Sequence, residues 1–136
     1  MVEGLNHVTL SVGDLSRAFS FYCKVLGLRP LARWAEGAYL LAGESTWLCL
    51  SLDERARTGP LAEYSHIAFT VAPDDFAETC TRVRLSGAAE WKRSTSEGES
   101  LYFLDPDGHK LELHVGDWRS RLASWQRDAR KGVEFL

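Results

Sequence analysis

Two segments of this chain begin alike. Residues 6–12 read Asn6-His7-Val8-Thr9-Leu10-Ser11-Val12, and residues 65–71 read Ser65-His66-Ile67-Ala68-Phe69-Thr70-Val71. Each sets a histidine second in a run of β-branched and apolar residues, as a core-packed strand requires. Each is followed by acidic residues and then by apolar positions at helical spacing. Asp14 can cap a first helix carrying Leu15, Phe19, Tyr22 and Leu26, and Asp74 or Asp75 can cap a second carrying Phe76, Cys80 and Val83. Gly27 and Gly87 supply the stops. Three strand-like runs follow each helix, near 29–34, 37–42 and 46–51, then near 89–93, 100–105 and 110–115. The chain thus reads as one α+β domain, 1–136, built from two tandem βαβββ modules at about 4–53 and 63–116. A break falls near Arg55–Ala62, and a last helix is predicted over about 117–127, capped by Asp117 and striped by Trp118, Leu122 and Trp125.

Strand alternation then sorts the polar residues. In Lys110-Leu111-Glu112-Leu113-His114-Val115, the leucines and Val115 share one face, and Glu112 and His114 share the other. The matching strand of the first module is Trp47-Leu48-Cys49-Leu50-Ser51, which sets Cys49 opposite Glu112. Duplication therefore generates four related positions, His7, Cys49, His66 and Glu112, which four strands around a pseudo-two-fold axis can gather in a cup. A carboxylate amid apolar strand residues is costly unless it is paired or bound to a metal. Two imidazoles and one carboxylate form a facial set with open positions, suited to Mn²⁺, Fe²⁺, Ni²⁺ or Zn²⁺. His109 lies in the turn sequence Asp105-Pro106-Asp107-Gly108-His109, and His114, two residues from Glu112, fits a partner that orients a ligand.

Composition narrows the function. The net charge is −3 with no Lys/Arg block, so nucleic acid is not an expected partner. No apolar run approaches a membrane span, and the N-terminus lacks a signal-peptide pattern. The odd set Cys23, Cys49 and Cys80 reads as reduced thiols, consistent with the cytoplasm.

The repeated plan and its strand-borne ligands resemble the vicinal-oxygen-chelate superfamily, which includes glyoxalase I, extradiol dioxygenases and the fosfomycin-resistance enzymes. The chain is most similar to the fosfomycin-resistance glutathione transferases. That likeness rests on Gly4-Leu5-Asn6-His7-Val8-Thr9-Leu10, Ala32-Arg33-Trp34, Gly37-Ala38-Tyr39, Trp47–Ser51, Tyr64-Ser65-His66, Glu90-Trp91-Lys92, Ser96-Glu97-Gly98 and the long run Tyr102–Gly116. It spans about residues 2–136. It implies an intertwined homodimer whose Mn²⁺ takes His7 from one chain and His66 and Glu112 from the other. It implies that Thr9, Lys92, Ser96, Tyr102 and Arg121 hold the phosphonate and oxirane oxygen of fosfomycin, and that Trp47 and Cys49 line the pocket. Tyr39 would lie near the glutathione thiol, making Thr9 and Tyr39 the side chains closest to the chemistry. A K⁺-binding loop would use Ser94, Ser96, Gly98 and Ser100. Two departures stand out: Ser94 replaces the family's usual asparagine, and Gly43-Glu44-Ser45-Thr46 lengthens the turn before Trp47 by one residue.

The expected chemistry is thiolate addition to the epoxide. A Lewis acid would stabilise the developing alkoxide, Lys92 and Arg121 would neutralise the phosphonate, and Ser96 and Thr9 would donate hydroxyl hydrogen bonds. Rival readings within this fold are an epoxide hydrolase, a transferase using another thiol, a glyoxalase-like lyase and a drug-binding protein without chemistry. A lyase is expected to place a carboxylate where Cys49 stands.

Overall fold

The computed structural model describes residues 1–95, 97–128 and 132–136. The first module runs β1 (His7–Val12), α1 (Leu15–Ser20), β2 (Arg29–Trp34), β3 (Gly37–Ala42) and β4 (Thr46–Leu52). The second runs β5 (Ile67–Thr70), α2 (Pro73–Leu85), β6 (Glu90–Lys92), β7 (Ser100–Leu104) and β8 (Lys110–His114), followed by α3 (Trp118–Arg127). The βαβββ order expected from the repeat is therefore present twice. Among the described residues, no helix is long and apolar enough to cross a membrane.

Local details depart from the sequence expectation in instructive places. Asp14 caps α1 as predicted, its carboxylate accepting from the Arg17 N–H. The helix then closes in a π-helical turn, Phe21–Val25, in which the Leu26 N–H reaches the Phe21 carbonyl at 3.2 Å. Neither Asp74 nor Asp75 caps α2. Ala72 takes that position, Pro73 occupies the first helical site where a missing N–H is harmless, and both aspartates sit in the first turn, where they favour the helix dipole. Gly87, at φ +82°, follows the helix end as expected. β5 begins one residue after His66, and β6 shrinks to three residues. The stripe predicted for α3 is only partly sheltered: no residue of that helix is buried, and Trp118 is exposed.

The two sheets have the orders β1-β4-β3-β2 and β5-β8-β7-β6. In each, the first strand of the module pairs in parallel with the last, and the remaining pairs are antiparallel. The registers match between modules. Thr9 faces Cys49 in the first, and Ala68 faces Glu112 in the second. Counting two residues on from each histidine therefore leads to Cys49 in one module and Glu112 in the other, as strand alternation indicated. Even the irregularities repeat: register slips between Pro30 and Ala32, and again between Glu90 and Lys92.

Alternation gives each sheet one apolar face. Leu10, Val12, Ala38, Leu40, Leu48 and Leu50 pack from the first sheet, and Leu101, Phe103, Leu111 and Leu113 from the second. Leu15, Ala18, Phe21, Tyr22, Cys80 and Val83 cover them from the helical segments. Each fully buried Val, Leu or Phe side chain among them contributes roughly 1.5–3 kcal/mol. The modules meet where the Phe21 and Phe103 rings approach at 6.3 Å.

A polar staple joins the modules beside that contact. Asp105 accepts from the backbone N–H groups of Asp107 and His109 through Oδ1, and from the Tyr22 hydroxyl at 2.6 Å through Oδ2. Asp107 Oδ1 accepts from the Gly13 N–H at 2.8 Å and from Arg17 at 3.3 Å, while His109 Nε2 donates to the Ser11 carbonyl at 2.9 Å. Burial is the main reason the Tyr22 phenol is pushed well above its ordinary value, with Asp105 adding to the effect. Gly108 makes the turn possible. Its φ is +96°, and a Cβ there would come within 2.4 Å of the Gly59 backbone. β8, with Glu112, leaves directly from this staple.

Candidate metal and anion site

Each sheet turns its other face away from the core, and the polar residues singled out in the sequence collect there. On the first sheet these are His7, Thr9, Tyr39, Trp47 and Cys49. His7 stacks against Trp47 at 4.6 Å, and Trp47 meets Tyr39 edge-on at 5.1 Å, with Trp34 beyond it at 4.8 Å from Tyr39. His7 and Thr9 are exposed, whereas Cys49 is buried. The indole N–H of Trp47 is buried without a hydrogen-bond partner. His7 Nδ1 lies 2.7 Å from the Asn6 side-chain oxygen, so Nδ1 donates and Nε2 presents its lone pair.

The second sheet carries the other half. Glu112 is 5% exposed at the centre of β8. Its Oε2 is 2.9 Å from His66 Nε2, and its Oε1 accepts from the Ser100 hydroxyl at 2.7 Å. His66 Nδ1 lies 3.0 Å from the Tyr64 carbonyl. A carbonyl only accepts, so Nδ1 carries the hydrogen and the lone pair of a neutral ring stands on Nε2. That lone pair points at a carboxylate oxygen. Two acceptors face each other at hydrogen-bond distance, an arrangement that requires a cation between them, either a proton or a metal ion. A backbone carbonyl behind an imidazole and a hydroxyl behind a carboxylate are also the supports that metal ligands use. The donor set therefore fits a divalent metal.

Within one chain this set is incomplete. Among the described residues, no three His, Cys, Asp or Glu side chains gather as a metal site. The structure brings His66 and Glu112 together; His7 and Cys49 lie on the other sheet, so a single chain does not form the four-residue cup.

Cations stand beside the His66–Glu112 pair. Lys92 donates to the Tyr64 hydroxyl and lies over the Tyr64 and Tyr102 rings at 4.7 and 4.9 Å. The hydrogen bond to Tyr64 is the largest cause lifting the Lys92 ammonium above the ordinary lysine value, so its charge persists through neutral pH. Arg121 on α3 donates to Glu97 at 2.7 Å and to His114 Nε2 at 3.4 Å. Lys92, Arg121, Tyr64, Glu97 and Trp125 line a cleft of about 660 Å³. Tyr102 is buried against His66 and Trp91 at ring separations of 5.9 and 5.2 Å.

The 94–100 loop is described in part, because Ser96 lies outside the described residues. Gly98, at φ +72°, passes so near the Val115 carbonyl that a Cβ would come within 2.5 Å of it. The Ser100 hydroxyl is turned to Glu112 and His114. Sequence reasoning missed Asn6, Tyr64, Trp91 and Glu97. Tyr64 stands two residues before a candidate ligand, and Glu97 lies within the Ser96-Glu97-Gly98 motif, but its pairing with Arg121, distant in sequence, had no local signal.

Comparison with known proteins identifies the family. The family model of the Glyoxalase/Bleomycin resistance protein/Dioxygenase superfamily matches residues 4–113. The chain is 48% identical to the Glutathione transferase FosA of Serratia marcescens, covering 99% of this chain and 96% of that one. It is 37% identical to the Metallothiol transferase FosB of Shouchella clausii, covering 95% and 91% respectively. A mutant of the FosX fosfomycin resistance protein of Listeria monocytogenes, crystallised with Mn(II) and 1S,2S-dihydroxypropylphosphonic acid, superposes with a TM-score of 0.75 at 28% identity, over 90% of this chain and 99% of that one. The chain belongs to the Glyoxalase/Bleomycin resistance protein/Dioxygenase superfamily and groups there with the Fos proteins of fosfomycin resistance.

Proposed function

We propose that this protein is a metal-dependent glutathione transferase that opens the epoxide of fosfomycin and so confers resistance to it. The observation that carries the reading is the His66–Glu112 pair, whose facing acceptors call for a cation, set beside the cations of Lys92 and Arg121. His7 of a second copy would complete the ligand set. Two unequal half-sites per chain, one with His7, Thr9, Tyr39, Trp47 and Cys49 and one with His66, Glu112, Lys92, Tyr102 and Arg121, support a homodimer with two whole sites. Mn²⁺ is the proposed metal, K⁺ the proposed occupant of the Ser94–Ser100 loop, and the cytoplasm the proposed compartment, consistent with three unpaired cysteines.

When bound, the metal supplies Lewis-acid stabilisation of the ring oxygen as its C–O bond breaks. The chain's own residues do the rest. Lys92 and Arg121 bind the phosphonate, Arg121 as a planar fork and Lys92 as a point charge. Thr9 and Ser96 are the proposed hydroxyl donors to the phosphonate and ring oxygens, with Tyr102 as a further contact. Trp47 and Cys49 are the proposed pocket-lining side chains. Tyr39 is the proposed hydrogen-bond partner of the glutathione thiolate, holding sulfur in line for attack. The S–C bond would form as the C–O bond breaks, and the released oxygen would take up, through solvent, the proton that the glutathione thiol had given up.

Glutathione is favoured as the thiol because the FosA relative shares 48% of its positions, against 37% for the FosB relative. The hydrolase reading rests on the FosX likeness, 28% to the Listeria monocytogenes protein crystallised with a dihydroxypropylphosphonic acid and 34% to that of Mesorhizobium loti, below the 48% to FosA. Phosphorus NMR of fosfomycin with metal-free protein tests all of these. An adduct signal that needs both Mn²⁺ and glutathione, and disappears in Glu112→Ala, is expected. A product formed with Mn²⁺ and water alone would replace the transferase with a hydrolase, and no product under any condition would overturn the fosfomycin reading.

A further inference from the structure

Behind Glu112 runs a hydrogen-bond chain whose direction is set by one residue. Arg121 cannot accept a hydrogen bond, so at 3.4 Å its guanidinium donates to His114 Nε2. His114 must then carry its hydrogen on Nδ1. That atom lies 2.7 Å from the Ser100 hydroxyl oxygen and 3.5 Å from Glu112 Oε1. Ser100 accepts from it, which leaves the Ser100 O–H for Glu112 Oε1 at 2.7 Å. Every link therefore points toward the carboxylate. The far end is fixed as well, because Arg121 is held by Glu97 at 2.7 Å and Glu97 accepts from Ser120 on the same helix. Glu112 Oε1 thus already accepts from the Ser100 hydroxyl, and Oε2 faces His66.

We infer that His114 is a positioning residue: through Ser100 it reserves Oε1 of Glu112, so that the carboxylate meets a metal ion through Oε2 alone, and it ties that ligand to the anion-binding Arg121. This rests on the metal-centre reading above. Two consequences follow. A two-oxygen grip by the carboxylate would compete with the Ser100 hydrogen bond at Oε1. Anion capture by Arg121 and metal capture by Glu112 share one rigid chain of donors, and linkage of this kind acts equally in both directions.

The test needs no turnover. Metal-free protein is titrated with Mn²⁺ by calorimetry, and the Mn²⁺ electron paramagnetic resonance spectrum is recorded, for the parent, His114→Leu, His114→Gln and Ser100→Ala. His114→Leu and Ser100→Ala are expected to weaken Mn²⁺ binding roughly tenfold to a hundredfold, as loss of a ligand's supporting partner does. Their spectra should show a changed zero-field splitting from the altered carboxylate grip. His114→Gln, which retains a donor and an acceptor, is expected to recover most of the affinity. Circular dichroism identifies any variant that fails to fold, and Ser100→Ala keeps the test alive if His114→Leu does. Parent-like affinity and spectrum in folded His114→Leu and Ser100→Ala would overturn the inference, as would a His114→Gln protein no better than His114→Leu. A parent that binds no Mn²⁺ overturns the metal centre and this inference together. A parent that binds Mn²⁺ yet leaves fosfomycin unchanged refutes the transferase alone.

Discussion

Replacing Tyr22 with phenylalanine removes one oxygen from the staple between the modules. The ring stays, so apolar packing is retained and no large cavity opens. What is lost is the 2.6 Å hydrogen bond to Asp105 Oδ2, between two side chains that are 0% and 4% exposed. Oδ1 of Asp105 keeps its two backbone donors, but the Tyr22 hydroxyl is the partner shown for Oδ2. A hydrogen bond to a charged group is worth about 1.5–3 kcal/mol, and stranding a buried acceptor sets the cost near the top of that range. We expect Tyr22→Phe to lose about 2–3 kcal/mol, which lowers Tm by roughly 6–12 °C for a chain of this length. Urea unfolding of metal-free protein measures it, and a cycle with Asp105→Asn should return a positive interaction energy. The same pair sets an alkaline limit. The Tyr22 phenol is raised above its ordinary value of about 10, so its contribution is full below that pH and is lost as pH climbs through the higher folded value. A loss under about 0.5 kcal/mol would refute the staple. So would weakened Mn²⁺ binding with unchanged stability, because Tyr22 touches the turn that launches β8 and not the ligands themselves.

Two further outcomes follow from backbone geometry and capping. Gly108→Ala must fit a Cβ at φ +96° and 2.4 Å from the Gly59 backbone, and it should lose at least about 3 kcal/mol or fail to accumulate as folded protein; a stable, parent-like Gly108→Ala protein would contradict that geometry. The Asp117 carboxyl lies below its ordinary value, chiefly because it accepts from the Ser120 N–H, so its cap on α3 is fully effective above about pH 4 and fades as pH falls through the lower folded value. Acid titration followed by tryptophan fluorescence should show α3 loosening below pH 4 in the parent and already loosened near neutral pH in Asp117→Ala.

The duplicated plan was legible because each module repeats its own hydrophobic alternation, and a two-residue period dictates which side chains share a face. That alone equated Cys49 with Glu112, and the paired registers agree. The ends of the helices were less legible. Asp74 and Asp75 fit a capping pattern, but Pro73 can sit only at the start of the helix, so the boundary falls ahead of them and they lie in the first turn. The π-helical turn at Phe21–Val25 has no local signature, since it differs from an α-turn by one hydrogen bond. In the site, strand neighbours were readable and cross-element partners were not. His114 could be named as a companion of Glu112 from its spacing, whereas Glu97 with Arg121 and Lys92 with Tyr64 meet only because loops and α3 fold back over the second sheet.

The separation of the open faces onto two sheets has a genetic consequence. In the proposed dimer, a chain disabled by His7→Ala and a chain disabled by Glu112→Ala each spoil a different half-site. Either homodimer is dead at both sites. In the mixed dimer both lesions fall on one site, and the other is assembled wholly from intact halves. Co-expression of two inactive alleles should therefore restore about half the activity of an intact dimer to each mixed pair, a rescue that sites built within single chains could not give. Bacteria carrying both alleles would then withstand drug concentrations that neither allele permits alone.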